Sequence, residues 1–167
     1  MSKITQLEVG VMQNFTYLIK ASDGFIVIDP SYGYEKIKSI VGDNKIIAIL
    51  LTHGHFDHSN DVPFLLKDYK SDLYIHNDDL RYLDFKVSSR HINDEEILDF
   101  GDVEIKVIHT PGHTPGSVCY MFEKNIFSGD TLFAGCCGRI DLDGSDPLKM
   151  RESLIKLSKF DDNMIVF

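Results

Sequence analysis

The sequence predicts an α/β fold, in which sheets and helices pack in layers around a core. Short segments rich in β-branched and aromatic residues recur along the chain and are bounded by Gly, Asp or Asn, which is typical of strands. Segments with apolar residues at helical spacing lie between them. The first strands follow one another too closely for a simple β-α-β winding. The predicted strands are 5–10, 15–21, 24–30, 45–52, 72–77, 103–110, 116–122 and 125–130.

The strand and helix segments carry recognisable start and stop signals. Segment 45–52 has no charge after Lys45, which predicts a buried strand. The predicted helices are 31–42, 59–70 and 146–160. The first helix ends at a glycine, and the second begins at Ser59, which we expect to be its cap. The third places three leucines on roughly one face: Leu148, Leu154 and Leu157.

Length and charge limit the class of protein. A chain of 167 residues suits one domain, residues 1–167. Its net charge of −9 disfavours non-specific attraction to nucleic acid or to an anionic membrane. We see no secretory leader and no apolar run of about 18 residues. The cysteines, Cys119, Cys136 and Cys137, are odd in number, so no disulfide framework is expected. We expect a cytoplasmic protein that acts on a small molecule.

Residues 51–60, LTHGHFDHSN, form a dense cluster of side chains able to bind metal. Four of the six positions 53–58 are ligand-type residues: His53, His55, Asp57 and His58. They follow the strand 45–52, at the kind of strand end where α/β proteins place their chemistry. Residues two apart in an extended segment point the same way, so His53 and His55 face one point and the other two can face a neighbouring one. Imidazole and carboxylate together suit zinc, and also iron or manganese. This one segment can therefore serve two metal ions.

Two later segments offer further ligands. In residues 107–118, VIHTPGHTPGSV, two TPG turns hold His113 on a rigid loop. His109 could also be a ligand, but we favour a supporting role, with its ring hydrogen-bonded behind the metal site. Asp130 follows an apolar strand and a glycine, and a Gly-Asp turn is weak evidence on its own.

The three motifs THGHFDH, HTPGHTPGS and FSGDTLF, in this order, resemble those of the metallo-β-lactamase-fold hydrolases, and within them the glyoxalase II-like (hydroxyacylglutathione hydrolase-related) branch. The resemblance implies a four-layer αβ/βα sandwich with two divalent metal ions at one edge of its sheets. Zinc is the first choice, with iron or manganese as alternatives. It implies that His53, His55 and His113 hold one metal, that Asp57 and His58 hold the second, and that Asp130 bridges them.

One feature departs from that family. Its members supply a further histidine to the second metal, well beyond the bridging aspartate, whereas this sequence stops at Phe167. We expect the domain to be incomplete at its C-terminus; the competing interpretation is a shortened protein whose second site is weak or empty. The helical region that helps glyoxalase II enzymes hold glutathione is missing too, so the thiol part of the substrate stays open.

The resemblance implies thioester hydrolysis by a hydroxide shared between the two metals, since coordination lowers the pKa of water from about 15.7 toward 7. Asp57 and Asp130 would fix that hydroxide. Arg139 matches a position where a basic residue meets an anionic part of the substrate, although a solvated loop arginine fits equally well. Asp29 matches a buried position that orients a ligand histidine. For Cys136 and Cys137 we expect only a packing role.

Other functions stay open. A persulfide dioxygenase of the same branch binds one iron through two histidines and the bridging aspartate. A lactonase or a β-lactamase is a further hydrolytic alternative, and a metal-binding scaffold without activity is the non-enzymatic one. A nucleic-acid-processing enzyme is disfavoured by the charge.

Overall fold

The computed structural model describes residues 3–167, and its backbone forms two sheets. The first sheet has six strands in sequence order, the first three antiparallel and the third to the sixth parallel. These strands are β1 (Ile4–Val9), β2 (Asn14–Ala21), β3 (Gly24–Ile28), β4 (Ile46–Leu50), β5 (Asp72–His76) and β6 (Arg90–Ile92).

The second sheet has five strands, β7 (Ile97–Asp99), β8 (Glu104–His109), β9 (Val118–Phe122), β10 (Asn125–Phe127) and β11 (Ile165–Val166). Its spatial order is β11-β10-β9-β8-β7. Neighbours are antiparallel except for the parallel pair β10 and β11. The short strands β6, β7 and β11 were not predicted, because two or three residues are too few to show a periodicity.

The helices cover the outer faces of both sheets. They are α1 (Tyr34–Val41), α2 (Phe56–Ser59), α3 (Val62–Tyr69) and α4 (Pro147–Leu157), with a 3₁₀ helix at Asn77–Tyr82. Apolar residues of α1 and α3 pack on the first sheet, and α4 packs on the second through Leu157. Within residues 3–167, no helix is long and apolar enough to cross a membrane. The predicted four-layer αβ/βα sandwich is confirmed.

The central core lies between the two sheets. The sequence of strand β3 is continuously apolar because both of its faces are covered. Ile26 and Ile28 face the second sheet, whereas Phe25 and Val27 face the helices. Both faces of this strand are buried, so the alternation expected of a half-exposed strand is lost. Each fully buried side chain of this size contributes about 1.5–3 kcal/mol. The core thus holds the sheets together through apolar contacts.

Two predictions about helix ends and faces were wrong. Ser59 does not cap the second helix; it ends α2, and its hydroxyl donates to the carbonyl of His55. In α4 the buried face is Met150, Ser153 and Leu157, while Leu148 is 74% exposed. Leu148 lies on the opposite face of the helix from these three residues. The buried residues of α4 are three and four positions apart, as helical spacing requires.

Parallel pairing of β3, β4 and β5 brings their carboxyl ends to the same edge of the first sheet. The segments that follow them therefore begin side by side. Asp29 follows β3, the histidine-rich stretch follows β4, and Asp79 follows β5. The three cysteines are free thiols.

Candidate metal centre

Asp29 fixes the turn that carries the histidine cluster. It follows β3 with a φ of 48°, and its side chain is 2% exposed. Its carboxylate accepts hydrogen bonds from the backbone N–H of Thr52, at 2.8 Å, and from the Thr52 hydroxyl, at 2.6 Å. Charge-assisted bonds of this kind are short and strong. They set the direction in which the chain leaves β4.

This turn leaves one nitrogen of His53 without a partner. The ring is 1% exposed, and its Nδ1 lies 3.1 Å from the Thr52 hydroxyl oxygen. That oxygen donates its own hydrogen to Asp29, so it accepts one from Nδ1 and leaves a lone pair on Nε2. His53 Nε2 is buried and has no hydrogen-bond partner among residues 3–167. Burial and the neighbouring histidines lower the pKa of His53, so the ring is neutral.

His58 lies between two carboxylates. Its Nδ1 is 2.9 Å from Asp29, and its Nε2 is 3.2 Å from Asp130. Burial alone would lower the pKa of His58, but the two carboxylates outweigh it and raise that pKa to about 10. The predicted contact between Asp29 and a histidine of the cluster is present. Without a metal, the ring of His58 is positively charged at neutral pH.

The loop between β8 and β9 brings His113 to the same place. Its Nδ1 lies 2.8 Å from the backbone carbonyl of Arg139 and donates to it, because a carbonyl oxygen only accepts. The lone pair of His113 is therefore on Nε2, which lies 2.9 Å from His55 Nδ1. The ring centroids of these two histidines are 4.7 Å apart. His113 thus presents a ligand atom to His55 and His53.

Asp130 lies between the two parts of the cluster. Its carboxylate oxygens are 3.2 Å from His58 Nε2 and 3.3 Å from His113 Nε2. Burial raises the pKa of Asp130, but the neighbouring histidines outweigh burial and lower that pKa below its ordinary value, so the carboxylate is ionised. The preceding Gly129 has a φ of 48°, and a Cβ there would lie 2.4 Å from the Thr52 hydroxyl. Only glycine lets this turn approach the Thr52 side chain so closely.

Two groups of three residues have their ligand atoms within 4.8 Å of one another. The first consists of His53, His55 and His113, and the second of His53, His58 and Asp130. A buried, neutral imidazole with an unpartnered lone pair is costly unless something binds it. The donor set of imidazoles and one carboxylate is the set that zinc and iron prefer. The residues therefore fit a metal site.

Asp57 takes a different position from the one expected of a ligand. Its side chain accepts a hydrogen bond from Asn14 at 3.0 Å, and its Oδ2 is 3.9 Å from His58 Nε2. Asn14 also donates to the backbone carbonyl of Asp57 at 2.8 Å. Asp57 is thus at the edge of the second group, and its carboxylate is already held by Asn14.

The remaining histidines lie apart from the cluster. His109 Nε2 bonds the carbonyl of Pro115 at 2.9 Å, within the loop that carries His113. Its ring stacks on His76 with centroids 4.4 Å apart. The supporting role of His109 stays a prediction. His91 is exposed on β6.

Arg139 contributes its backbone to the cluster, and its side chain is exposed. The guanidinium forms two bonds with Asp141, at 2.9 and 3.1 Å. Sequence reasoning identified Arg139 for its charge and missed its carbonyl, which orients His113. A backbone acceptor has no signature in the sequence.

Asp79 was also missed, although it joins the loops that carry His55 and His113. It is fully buried and accepts from the N–H groups of Gly54, at 2.9 Å, and Gly116, at 2.7 Å. It also accepts from the Thr114 hydroxyl at 2.7 Å. In the sequence, the only indication of this role was that Asp79 follows shortly after a predicted strand, at the kind of strand end where α/β proteins place their functional residues.

Comparisons with known proteins agree with this geometry. A profile of the Metallo-beta-lactamase superfamily matches residues 9–167. The chain is 33% identical over 149 residues to the probable polyketide biosynthesis zinc-dependent hydrolase PksB of Bacillus subtilis, covering 86% of this chain and 66% of that protein. It is 34% identical over 147 residues to a hydroxyacylglutathione hydrolase of Shewanella halifaxensis, covering 87% of this chain and 56% of that protein.

Two solved structures have the same fold as this chain. The structure of TTHA1623 in a di-iron-bound form has a TM-score of 0.89 at 31% identity, covering 98% of this chain and 90% of that one. The BLEG-1 B3 metallo-beta-lactamase has a TM-score of 0.90 at 28% identity, covering 98% and 89%. The match spans between about half and two thirds of the length of the two curated relatives above. The fold, the family profile and these relatives together show that the chain belongs to the metallo-beta-lactamase superfamily.

Proposed function

We propose that this chain carries the catalytic site of a metal-dependent hydrolase whose substrates are thioesters. The observation that carries the proposal is the unpartnered, buried Nε2 of His53, which two three-residue groups share. We assign His53, His55 and His113 to a first divalent metal ion. We assign Asp57 and His58 to a second, with Asp130 between the two.

The protein prepares these ligands through fixed hydrogen bonds. The Nδ1 atoms of His113, His53 and His58 are each held by one group, the carbonyl of Arg139, the hydroxyl of Thr52 and the carboxylate of Asp29 respectively, so that the Nε2 atoms point inward. Such outer partners fix ring orientation and tautomer. His55 differs, since its Nδ1 faces His113. Preorganised ligands of this kind need no large rearrangement to bind metal.

A bound divalent metal ion supplies activation of water at neutral pH and polarisation of a carbonyl group. In this proposal the carboxylates of Asp57 and Asp130 would hold the water and accept its proton. In the net reaction, water gives its oxygen to the acyl carbon, the carbon–sulfur bond breaks, and the sulfur leaves as a thiol. Similarity to proteins named zinc-dependent hydrolase and hydroxyacylglutathione hydrolase supports this reaction class.

The test is a comparison of His53→Ala with His91→Ala. Both remove one imidazole, but His91 is exposed on β6 and outside the cluster. We expect His53→Ala to lose bound metal, measured by elemental analysis, together with thioester turnover. His91→Ala should keep both. Equal metal content in the two variants would contradict the assignment, and one bound iron with oxygen consumption in place of hydrolysis would favour the dioxygenase.

A further inference from the structure

A cleft of about 470 Å³ opens directly onto the candidate metal centre. The proposed ligands His55, Asp57, His113 and Asp130 line it, and we call this part of the cleft its floor. Its walls carry Met12, Phe56, Tyr82 and Leu142. Single exposed apolar residues are common, but apolar groups converging on one cleft mark a binding site.

The four wall residues come from four separate segments of the chain. Met12 lies in the β1–β2 turn and is 58% exposed, and Phe56 begins α2 and is 50% exposed. Tyr82 ends the 3₁₀ helix, with its ring against His55 at 5.4 Å and its hydroxyl donating to the carbonyl of Asp143. Leu142 lies in the loop that follows Arg139. Their convergence creates an apolar surface next to the ligands.

The charge at the mouth of the cleft disfavours an anion. Arg139 lines the cleft, but Asp141 already forms two bonds with its guanidinium. Paired nitrogens of a guanidinium are the groups that would bind a substrate carboxylate. An anionic substrate would have to displace Asp141 and would then lie beside its negative charge.

We propose that the substrate is a thioester with an apolar acyl chain and a thiol part that carries no anionic group. This inference rests on the proposed hydrolase function and narrows its substrate class. The acyl chain lies along the apolar wall, and the carbonyl lies at the floor beside the metal ligands. A glutathione thioester, whose thiol part carries two carboxylates, is a poor substrate.

The acyl chain is tested with acetyl and hexanoyl thioesters of N-acetylcysteamine, a neutral thiol. Burial of the four added methylenes should raise kcat/KM at least about tenfold. Phe56→Ala should reduce this preference, whereas Phe64→Ala should not, because Phe64 is equally exposed but lies on α3 against Tyr34. No preference for the longer chain, or the same loss in both variants, would overturn the apolar assignment.

The thiol part is tested with the hexanoyl thioester of glutathione. We expect the neutral thioester to be hydrolysed several-fold more efficiently. Asp141→Asn removes the charge that pairs with Arg139, and it should reduce the ratio of kcat/KM for the neutral thioester to kcat/KM for the glutathione thioester. Asp23→Asn removes the same charge at the β2–β3 turn, at the opposite end of β2 from Asn14, and should leave the ratio unchanged. A glutathione thioester that is favoured in the unmodified protein would overturn the inference.

Binding without turnover separates this inference from the proposed function. The thioethers S-hexyl-N-acetylcysteamine and S-hexylglutathione cannot be hydrolysed, and their affinities for the metal-loaded protein follow from calorimetric titration. Tighter binding of the neutral thioether, with no thioester hydrolysed, would support the cleft assignment and reject the hydrolase. Tighter binding of the glutathione thioether would reject the cleft assignment even if thioesters are hydrolysed.

Discussion

The buried carboxylate of Asp79 determines the relative position of two loops that carry proposed metal ligands. One oxygen accepts from Gly116, and the other accepts from Gly54 and Thr114. Both glycines are needed for this approach, since a Cβ at Gly54 would lie 2.4 Å from the carbonyl oxygen of Asp79, and one at Gly116 would lie 2.6 Å from its carboxylate. A single residue outside the proposed ligand set thus sets the distance between His55 and His113.

Asp79→Asn should weaken metal binding while preserving side-chain volume. The amide accepts at only one of its two ends, so a buried N–H would face an NH₂ group. We expect a loss of about 1–3 kcal/mol in the free energy of unfolding. Metal affinity should fall about 10- to 100-fold. Chelator competition and urea unfolding measure the two effects, with Asp78→Asn as the exposed control. Unchanged metal affinity in Asp79→Asn would contradict this role.

The metal affinity of the second group should depend on pH through His58. Since its carboxylate neighbours raise its pKa to about 10, this ring is protonated at neutral pH and must release the proton before it binds metal. Affinity should therefore rise about tenfold per pH unit below that pKa. For the first metal we expect a weaker dependence, because the pKa values of His53 and His55 are lowered.

Competitive metal titrations between about pH 6.5 and pH 8.5 measure this slope. Asp29→Asn removes the negative charge beside His58 and should reduce the slope. A second metal whose affinity is independent of pH would show that His58 is not one of its ligands.

At the scale of elements, helix α4 holds the loop between β8 and β9 in place. The Ser153 hydroxyl donates to the carbonyl of Pro111 at 2.7 Å, and the N–H of Asp146 donates to that of Gly112 at 2.8 Å. Gly112 has a φ of 147°, and a Cβ there would lie 2.4 Å from the backbone of Met150. The loop therefore presents His113 from a rigid support.

His109 and His113 bracket this loop and should behave differently. His113→Ala removes a ligand atom and should abolish binding at the first metal site. His109→Ala removes the bond to Pro115 and should cost about 1 kcal/mol of stability while metal binding is kept. Elemental analysis and thermal unfolding separate the two results. An equal loss of metal in the His109 variant would show that the ligand was assigned to the wrong histidine.

At the scale of the whole molecule, the proposed ligands come from segments that follow strands of both sheets. His53 follows β4 of the first sheet, whereas Asp130 follows β10 of the second. The central core between the sheets is apolar and separate from the cluster. The metal should therefore stabilise the fold without being required for it.

Removal of metal should lower the melting temperature without unfolding the chain. With free metal at about 100 times its Kd, binding adds about 2.7 kcal/mol. For a chain of this size, that corresponds to a shift of about 5–10 °C. Calorimetry with and without a chelator measures the shift. Loss of the cooperative transition in the chelator would show that the fold depends on metal.

The sequence alone determined the features that are local in the chain. His53, His55, Asp57 and His58 lie within six residues, so their type and spacing were sufficient to predict a metal site. Continuous apolar segments identified the long strands, because burial on both faces leaves a pattern within each strand. The short strands and the buried face of α4 were not predicted, since their packing partners lie elsewhere in the chain.

Only the tertiary structure decided how the cluster is supported and what surrounds it. Asp79 meets Thr114 and Gly116 across 35 and 37 residues, and the Arg139 carbonyl meets His113 across 26. The wall of the cleft combines Met12, a residue of the first hairpin, with Leu142 near the other end of the chain. Such contacts depend on how the strands pair and on which loops then meet, and a backbone carbonyl is the same at every position. No local pattern can encode them.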